Sequence, residues 1–262
     1  MKPELAGVGV LITRPAGQSG RVAELIDASG GEPILFPAIR IEPLPDVDRA
    51  AALTDLQQFG LLIFVSPNAV RVAMPHILKN GGLPAHCKVA AVGPGTAAAL
   101  KKSGVRNIIS PQKGFDSEAL IRELSSLPLG SCRALVIRGQ GGRELLGETL
   151  RSRGAKVEYL ECYRRVTPDR DMEELLPLWR SGALQACIAT SSTIVMNLYE
   201  MAGEAGRPWL LGTPFFVSHP RVAATAFSRG VQRVFVAGNG DEALVAGMKT
   251  WFARLRPLHA AS

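Results

Sequence analysis

The feature that most narrows what this chain can fold into is a long internal echo. Val10-Leu11-Ile12-Thr13-Arg14, a glycine-bearing turn, Arg21, a helical stretch and Gly30-Gly31 return as Leu135-Val136-Ile137-Arg138, a Gly-rich turn, Arg143, a helical stretch and Gly154. Leu62 to Asn68 returns as Ala186 to Ser192, Val89 to Gly93 as Phe215 to Ser218, and Gly114 to Leu120 as Gly238 to Leu244. The offset, about 124 residues, is far beyond the ~20–50-residue period of a solenoid. Two similar domains are therefore predicted, and a chain of 262 residues is long enough for both.

Each copy has one form: an apolar run rich in β-branched residues, a small or hydroxyl residue, then an amphipathic stretch. That alternation predicts an α/β fold with parallel strands. Strands are expected at 8–13, 34–41, 61–65, 88–92, 107–109, 134–137, 156–161, 186–189, 214–217 and 231–236. Residues 19–28 and 97–102 carry helical spacing and run into Gly30 and Gly104, as capped helices do. The richest apolar run, Leu61 to Val65, is far short of the ~18 residues of a membrane helix. Met1-Lys2-Pro3-Glu4 has no basic segment backed by an apolar one, so no secretory signal is expected. The four cysteines, Cys87, Cys132, Cys162 and Cys187, lie far apart and read as reduced core thiols of a cytoplasmic protein.

Ligands of such sheets bind outside the carboxyl ends of the strands, where helix N-termini present free N–H groups to anions. The predicted strand ends carry Ser66, Asn68, Gly93, Thr96, Ser117, Thr190, Ser191, Ser192 and Ser218. Any one of these is an ordinary helix cap; their recurrence at equivalent places in both halves is what points to function. The net charge of +7 suits an acidic small molecule or plain solubility. Nucleic acid is not favoured, because the basic residues are scattered rather than clustered. Gly93-Pro94-Gly95-Thr96-Ala97-Ala98 approaches a dinucleotide turn, but the acidic residue expected after the next strand is replaced by Ser110-Pro111-Gln112. His76, His86, His219 and His259 show no metal-ligand spacing, and no nucleophile elbow or zinc-protease motif occurs. A chemistry that needs few ionisable groups is favoured. Tyr163, at a predicted strand end beside Arg164 and Arg165, is either a plug at a domain junction or a functional phenol.

The ordered set Ile12-Thr13-Arg14-Pro15, Phe64 to Val70, Ala91 to Leu100, Gly114 to Leu120, Arg138-Gly139 with Gly142-Arg143, Arg153 to Val157, and Tyr163-Arg164-Arg165 resembles the uroporphyrinogen-III synthase family over essentially the whole chain. The resemblance implies two similar parallel-sheet α/β domains of flavodoxin- or Rossmann-like form, joined by a two-stranded linker. Domain one would hold 1–37 with 168–262 and domain two 42–161, with linkers at 38–41 and 162–167 that place Tyr163 on a linker. The family removes the terminal hydroxyl of linear hydroxymethylbilane as water and closes the macrocycle with ring D inverted, without cofactor or metal. It is expected to act as a monomer, with no nucleic-acid or membrane partner, and a transient contact with the bilane-forming enzyme is open.

Tyr163 is then the candidate proton donor, since a phenol with an ordinary pKa near 10 stays protonated at neutral pH. The candidate substrate contacts are Arg14, Ser66, Asn68, Gly93, Thr96, Ser117, Arg138, Gly139, Arg143, Thr190, Ser191, Ser218 and Arg221. The Ser218-to-Arg221 turn follows the family pattern only loosely. The substrate carries eight carboxylates; at about 0.3–1 kcal/mol each at helix N-termini they give roughly 2–8 kcal/mol, against about 8.2 for micromolar binding. Many small contacts can thus do what one dominant arginine would. A two-lobed binding protein for an acidic solute and a nucleotide-using enzyme are the competing readings.

Overall fold

The structure, a computed structural model, describes residues 3–45, 53, 56–114 and 116–255. Met1, Lys2, Phe115 and His259, used above, lie outside them. The strands are β1 (Gly9–Ile12), β2 (Glu32–Leu35), β3 (Arg40–Pro43), β4 (Leu61–Phe64), β5 (Lys88–Ala91), β6 (Ile108–Ile109), β7 (Arg133–Gly139), β8 (Lys156–Val166), β9 (Leu184–Ala189), β10 (Phe215–Val217) and β11 (Val234–Val236). The helices are α1 (Gly20–Asp27), α2 (Pro67–Lys79), α3 (Pro94–Lys102), α4 (Ser117–Glu123), α5 (Leu145–Ser152), α6 (Leu176–Arg180), α7 (Ser192–Met201), α8 (Gly203–Gly212), α9 (Pro220–Ser228) and α10 (Asp241–Leu255). Among the described residues no helix is long and apolar enough to cross a membrane.

The described residues fall into two compact units, one of those up to Arg40 with those from Val166 onward, the other of those from Ile41 to Arg165. The first holds a sheet in the order β2-β1-β9-β10-β11, with every neighbouring pair parallel. The second holds β3-β8-β7-β4-β5-β6, in which β8–β7, β7–β4, β4–β5 and β5–β6 are parallel. Leaving β3 aside, the two orders are the same arrangement. β7 takes the place of β1, β8 that of β2, β4 that of β9, β5 that of β10 and β6 that of β11. Three of these pairs, β7 with β1, β4 with β9 and β5 with β10, lie in segments that echo each other in the sequence.

Parallel strands covered on both faces have no polar face to alternate with. β1 and β4 are buried at every residue. In the first unit Val10, Ile12, Ala186, Ile188 and Phe216 pack under α1 and α10. In the second, Leu62, Phe64, Leu135 and Ile137 face α2, while Leu61, Ile63, Ala134 and Val136 face α4 and α5. α3 ends as its sequence suggests: Gly104 takes φ 89°, its N–H donates to the Lys101 carbonyl, and the next N–H, of Val105, donates to that of Leu100.

Three strands differ from expectation; the one expected at 231–236 is confined to Val234–Val236. The predicted strand at 34–41 is two: β2 pairs with β1, and β3 lies beside β8 in the other sheet. Between them Pro37 has no N–H to give a ladder, and the chain is held instead by Ala38 N–H donating to the Thr13 carbonyl. β8 runs to Val166, five residues past the predicted end. Its register with β7 shifts between Arg138 and Gly139, leaving Cys162 as an extra residue, so Cys162 and Tyr163 both enter the core. Tyr163 is therefore paired opposite Gly139.

Gly9 shows how closely the central strands approach. A Cβ there would lie 1.9 Å from the Ala183 carbonyl oxygen, which is backbone and has nowhere to go. Gly9→Ala is expected to lower the unfolding free energy in urea by roughly 1–3 kcal/mol or more. Gly20→Ala, in helical backbone with open space around it, is expected to be neutral or stabilising by up to about 1 kcal/mol.

Candidate active site

At the carboxyl end of the second sheet, β4, β7 and β8 bring three functional groups together. Ser66 follows β4 and caps α2, its Oγ accepting the N–H of Ala69 at 3.1 Å. Gly139 ends β7, and the Tyr163 ring lies where its side chain would be, since a Cβ would sit 2.5 Å from the ring's Cζ. This leaves Tyr163 only 1% exposed. Its hydroxyl lies 2.9 Å from Ser66 Oγ and accepts an Nη2–H of Arg165 at 3.0 Å. The Arg165 guanidinium also stands 5.3 Å from the ring centroid.

Arg165 is the residue that the sequence reading missed. On an extended strand, residues two apart point the same way, so its spacing from Tyr163 was the available signal. No carboxylate partner is found for it among the described residues, in contrast to Arg164, which pairs with Glu42 at 2.9 Å.

The other candidates of this unit divide into donors and spent charges. Gly93, at the cap position of α3, offers bare backbone with Pro94 as the first helical residue. Asn68 and Thr96 are buried in the first turns of α2 and α3. Ser117 is the first residue of α4, but the cap is Asp116, whose carboxylate accepts Ala119 N–H at 2.8 Å. That helix start already holds a negative charge. Arg138 is 9% exposed and enclosed: Glu144 lies at 2.7 Å, Glu161 at 3.1 Å, and the Tyr159 ring centroid at 3.9 Å. Burial works against its charge, yet the two carboxylates outweigh burial and hold its pKa above the ordinary value. Arg143 is exposed and pairs with Glu118 at 2.6 Å.

The first unit repeats the pattern. Ser191 follows β9 and caps α7 by accepting Ile194 N–H at 3.2 Å, the counterpart of Ser66 on β4. Ser218 donates to the Thr190 carbonyl at 3.3 Å, which ties the ends of β10 and β9. His219, not Ser218, caps α9, its Nδ1 accepting the Arg221 N–H at 3.1 Å and leaving the Arg221 side chain exposed. Arg14, after β1, is ion-paired with Asp241 at the start of α10, and Arg21 with Glu242 at 3.0 Å. The α10 start thus carries acids as α4 does.

The described residues contain no group of three or more His, Cys, Asp or Glu placed to hold a metal ion. Burial pushes the Cys87 thiol up to about 12 and raises Cys132 and Cys187 as well, so these thiols stay protonated.

A family model described as uroporphyrinogen-III synthase HemD matches residues 20–246. A uroporphyrinogen-III synthase of Salmonella typhimurium is 33% identical over 240 residues, covering 89% of this chain and 96% of its own. That of Escherichia coli is 30% identical with the same coverage. Among solved structures, a mutant uroporphyrinogen III synthase of Thermus thermophilus aligns with TM-score 0.58 at 22% identity, over 94% of this chain and 99% of that one. The Helicobacter pylori enzyme aligns with TM-score 0.59 at 15% identity, over 93% and 99%. These two likenesses concern the fold.

The Arg143–Glu118 pair gives a titration to measure. The hydrogen bond from Arg143 holds the Glu118 carboxyl below its ordinary value. NMR titration of that carboxyl should return toward about 4.3 in Arg143→Gln. Because the folded pKa is the lowered one, the pair's stabilisation is complete above the ordinary carboxylate range and is lost as pH falls through the lowered value. The stability gap between wild type and Arg143→Gln should therefore shrink from pH 7 to pH 3.

Proposed function

The chain belongs to the uroporphyrinogen-III synthase family, and on that premise we propose that it closes hydroxymethylbilane to uroporphyrinogen III with loss of water and inversion of ring D. The observation that carries the proposal beyond kinship is the Tyr163 hydroxyl held between Ser66 and Arg165, opposite the end of β7. Loss of hydroxide from a pyrrole carbinol leaves a resonance-stabilised azafulvene, so one proton delivered to the departing oxygen is the main chemical demand. Tyr163 is the source of that proton. Ring D then attacks at its substituted carbon through a spirocyclic pyrrolenine, and the proton shed as the last pyrrole re-aromatises restores the phenol. In water the unassisted chain closes to the symmetric isomer I. What the protein adds is mostly orientation of a floppy substrate.

Orientation is proposed to rest on many modest contacts. The Ser66 and Ser191 turns, the bare α3 start at Gly93 and the exposed Arg221 supply donors to carboxylates. Arg14, Arg138 and Arg143 are each already paired with acids, so their share in binding is indirect, through the shape of the turns they brace. The acids at the starts of α4 and α10 make those two turns poor places for a carboxylate. Without cofactor or metal, the enzyme is proposed to work as a cytoplasmic monomer in tetrapyrrole synthesis. Spontaneous closure of the free bilane favours its direct transfer from the enzyme that makes it.

The test is to supply hydroxymethylbilane and resolve the isomers formed. Isomer III above the spontaneous background is expected; isomer I alone, at the buffer rate, contradicts the proposal. Tyr163→Phe should lower kcat by about 10²-fold or more, the typical worth of a general acid. Alanine at Arg14, Arg138 or Arg143 singly should leave measurable turnover in folded protein.

A further inference from the structure

We infer that Ser66 is the group that hands the proton to the leaving hydroxyl, with Tyr163 replenishing it from behind and Arg165 setting the direction of the chain. The inference rests on the reading of Tyr163 as the proton source. Tyr163 is 1% exposed, and among the described residues its hydroxyl has two hydrogen-bond partners, Arg165 and Ser66. A guanidinium can only donate, so Arg165 takes an acceptor position on the phenol oxygen. Were Ser66 also to donate to Tyr163, the phenol proton would be buried with no acceptor, an arrangement that proteins avoid. Tyr163 therefore donates to Ser66. Ser66 Oγ already accepts Ala69 N–H as the cap of α2, so both its acceptor positions are filled. Its own O–H has no acceptor among the described residues. Ser66 is only half-buried, so of the two hydroxyls it is the one that can touch substrate. The chain Arg165 N–H, Tyr163 O–H, Ser66 O–H is thus directed outward at the end of β4.

In the step, the Ser66 proton goes to the departing oxygen, which leaves as water, while the Tyr163 proton moves to Ser66 in the same event. The negative charge ends on the phenol oxygen, where the Arg165 hydrogen bond stabilises it. The proton released when the last pyrrole re-aromatises returns along the same hydroxyls. Ser66 is thus a catalytic residue and Arg165 a positioning residue.

Asparagine caps a helix as well as serine does but cannot relay this proton, and threonine keeps both functions. Ser66→Asn is expected to melt within the range of wild type and Ser66→Thr. It should lose about a hundredfold in kcat with little change in KM, while Ser66→Thr keeps most of the turnover. Arg165→Gln should lower kcat in wild type but add nothing in a Tyr163→Phe background. Single-turnover rates across mixtures of light and heavy water should curve downward, since two protons move together. Equal turnover of Ser66→Asn and Ser66→Thr, or a linear dependence on deuterium fraction, overturns the relay while a costly Tyr163→Phe leaves Tyr163 as the acid. Near-wild-type turnover of Tyr163→Phe overturns both.

Discussion

Everything in this molecule follows from strands that run the same way. When the paired strands of a sheet are parallel, all their carboxyl ends meet one edge, and each helix that follows begins there with unpaired N–H groups. Ligands of such sheets meet the protein at that edge. Two sheets of equivalent order give this chain two such edges. Ser66 and Ser191 cap the helices that follow equivalent strands with nearly the same hydrogen bond, 3.1 and 3.2 Å.

How charge is arranged along those edges decides what they can hold. The cations most visible in the sequence are largely neutralised by neighbours: Arg138 by Glu144 and Glu161, Arg143 by Glu118, Arg14 by Asp241. Such pairs brace turns more than they attract ligands, and at exposed positions they contribute little energy. Arg165, which directs its donors at a phenol instead of an acid, and Arg221, with its side chain exposed, are different. A polyanionic, flexible substrate suits a surface with many weak neutral donors and few committed cations. Product identity then depends on geometry.

The fold was legible because double-sided burial writes parallel strands as unbroken apolar runs, and because the echo of Val10–Arg14 in Leu135–Arg138 marks equivalent strands. The serine caps were legible too, since a hydroxyl between such a run and a helix has one usual task. What was not legible depended on partners distant in sequence or on single-residue offsets. Nothing near Arg138 in sequence reveals that Glu161, across the β7–β8 pairing, shares its charge. The shift from Ser117 to Asp116 as cap is one residue wide, and so is the change from Ser218 to His219. The extra residue in β8, which turns Tyr163 over Gly139, leaves no mark in the apolar pattern. Pro37, which lacks an N–H, stands at the break between β2 and β3, a signal that the expectation of one strand over 34–41 passed over.

The central proposal is that N–H and O–H donors spread over several strand-end turns hold the substrate's carboxylates. Amide chemical shifts of isotope-labelled protein titrated with the reduced product, uroporphyrinogen III, address it residue by residue. The account predicts that the largest shifts fall on the first turns of α2, α3, α7 and α9, with none of them dominating. Shifts gathered at the opposite edges of the sheets, or on one arginine-bearing turn alone, would contradict it.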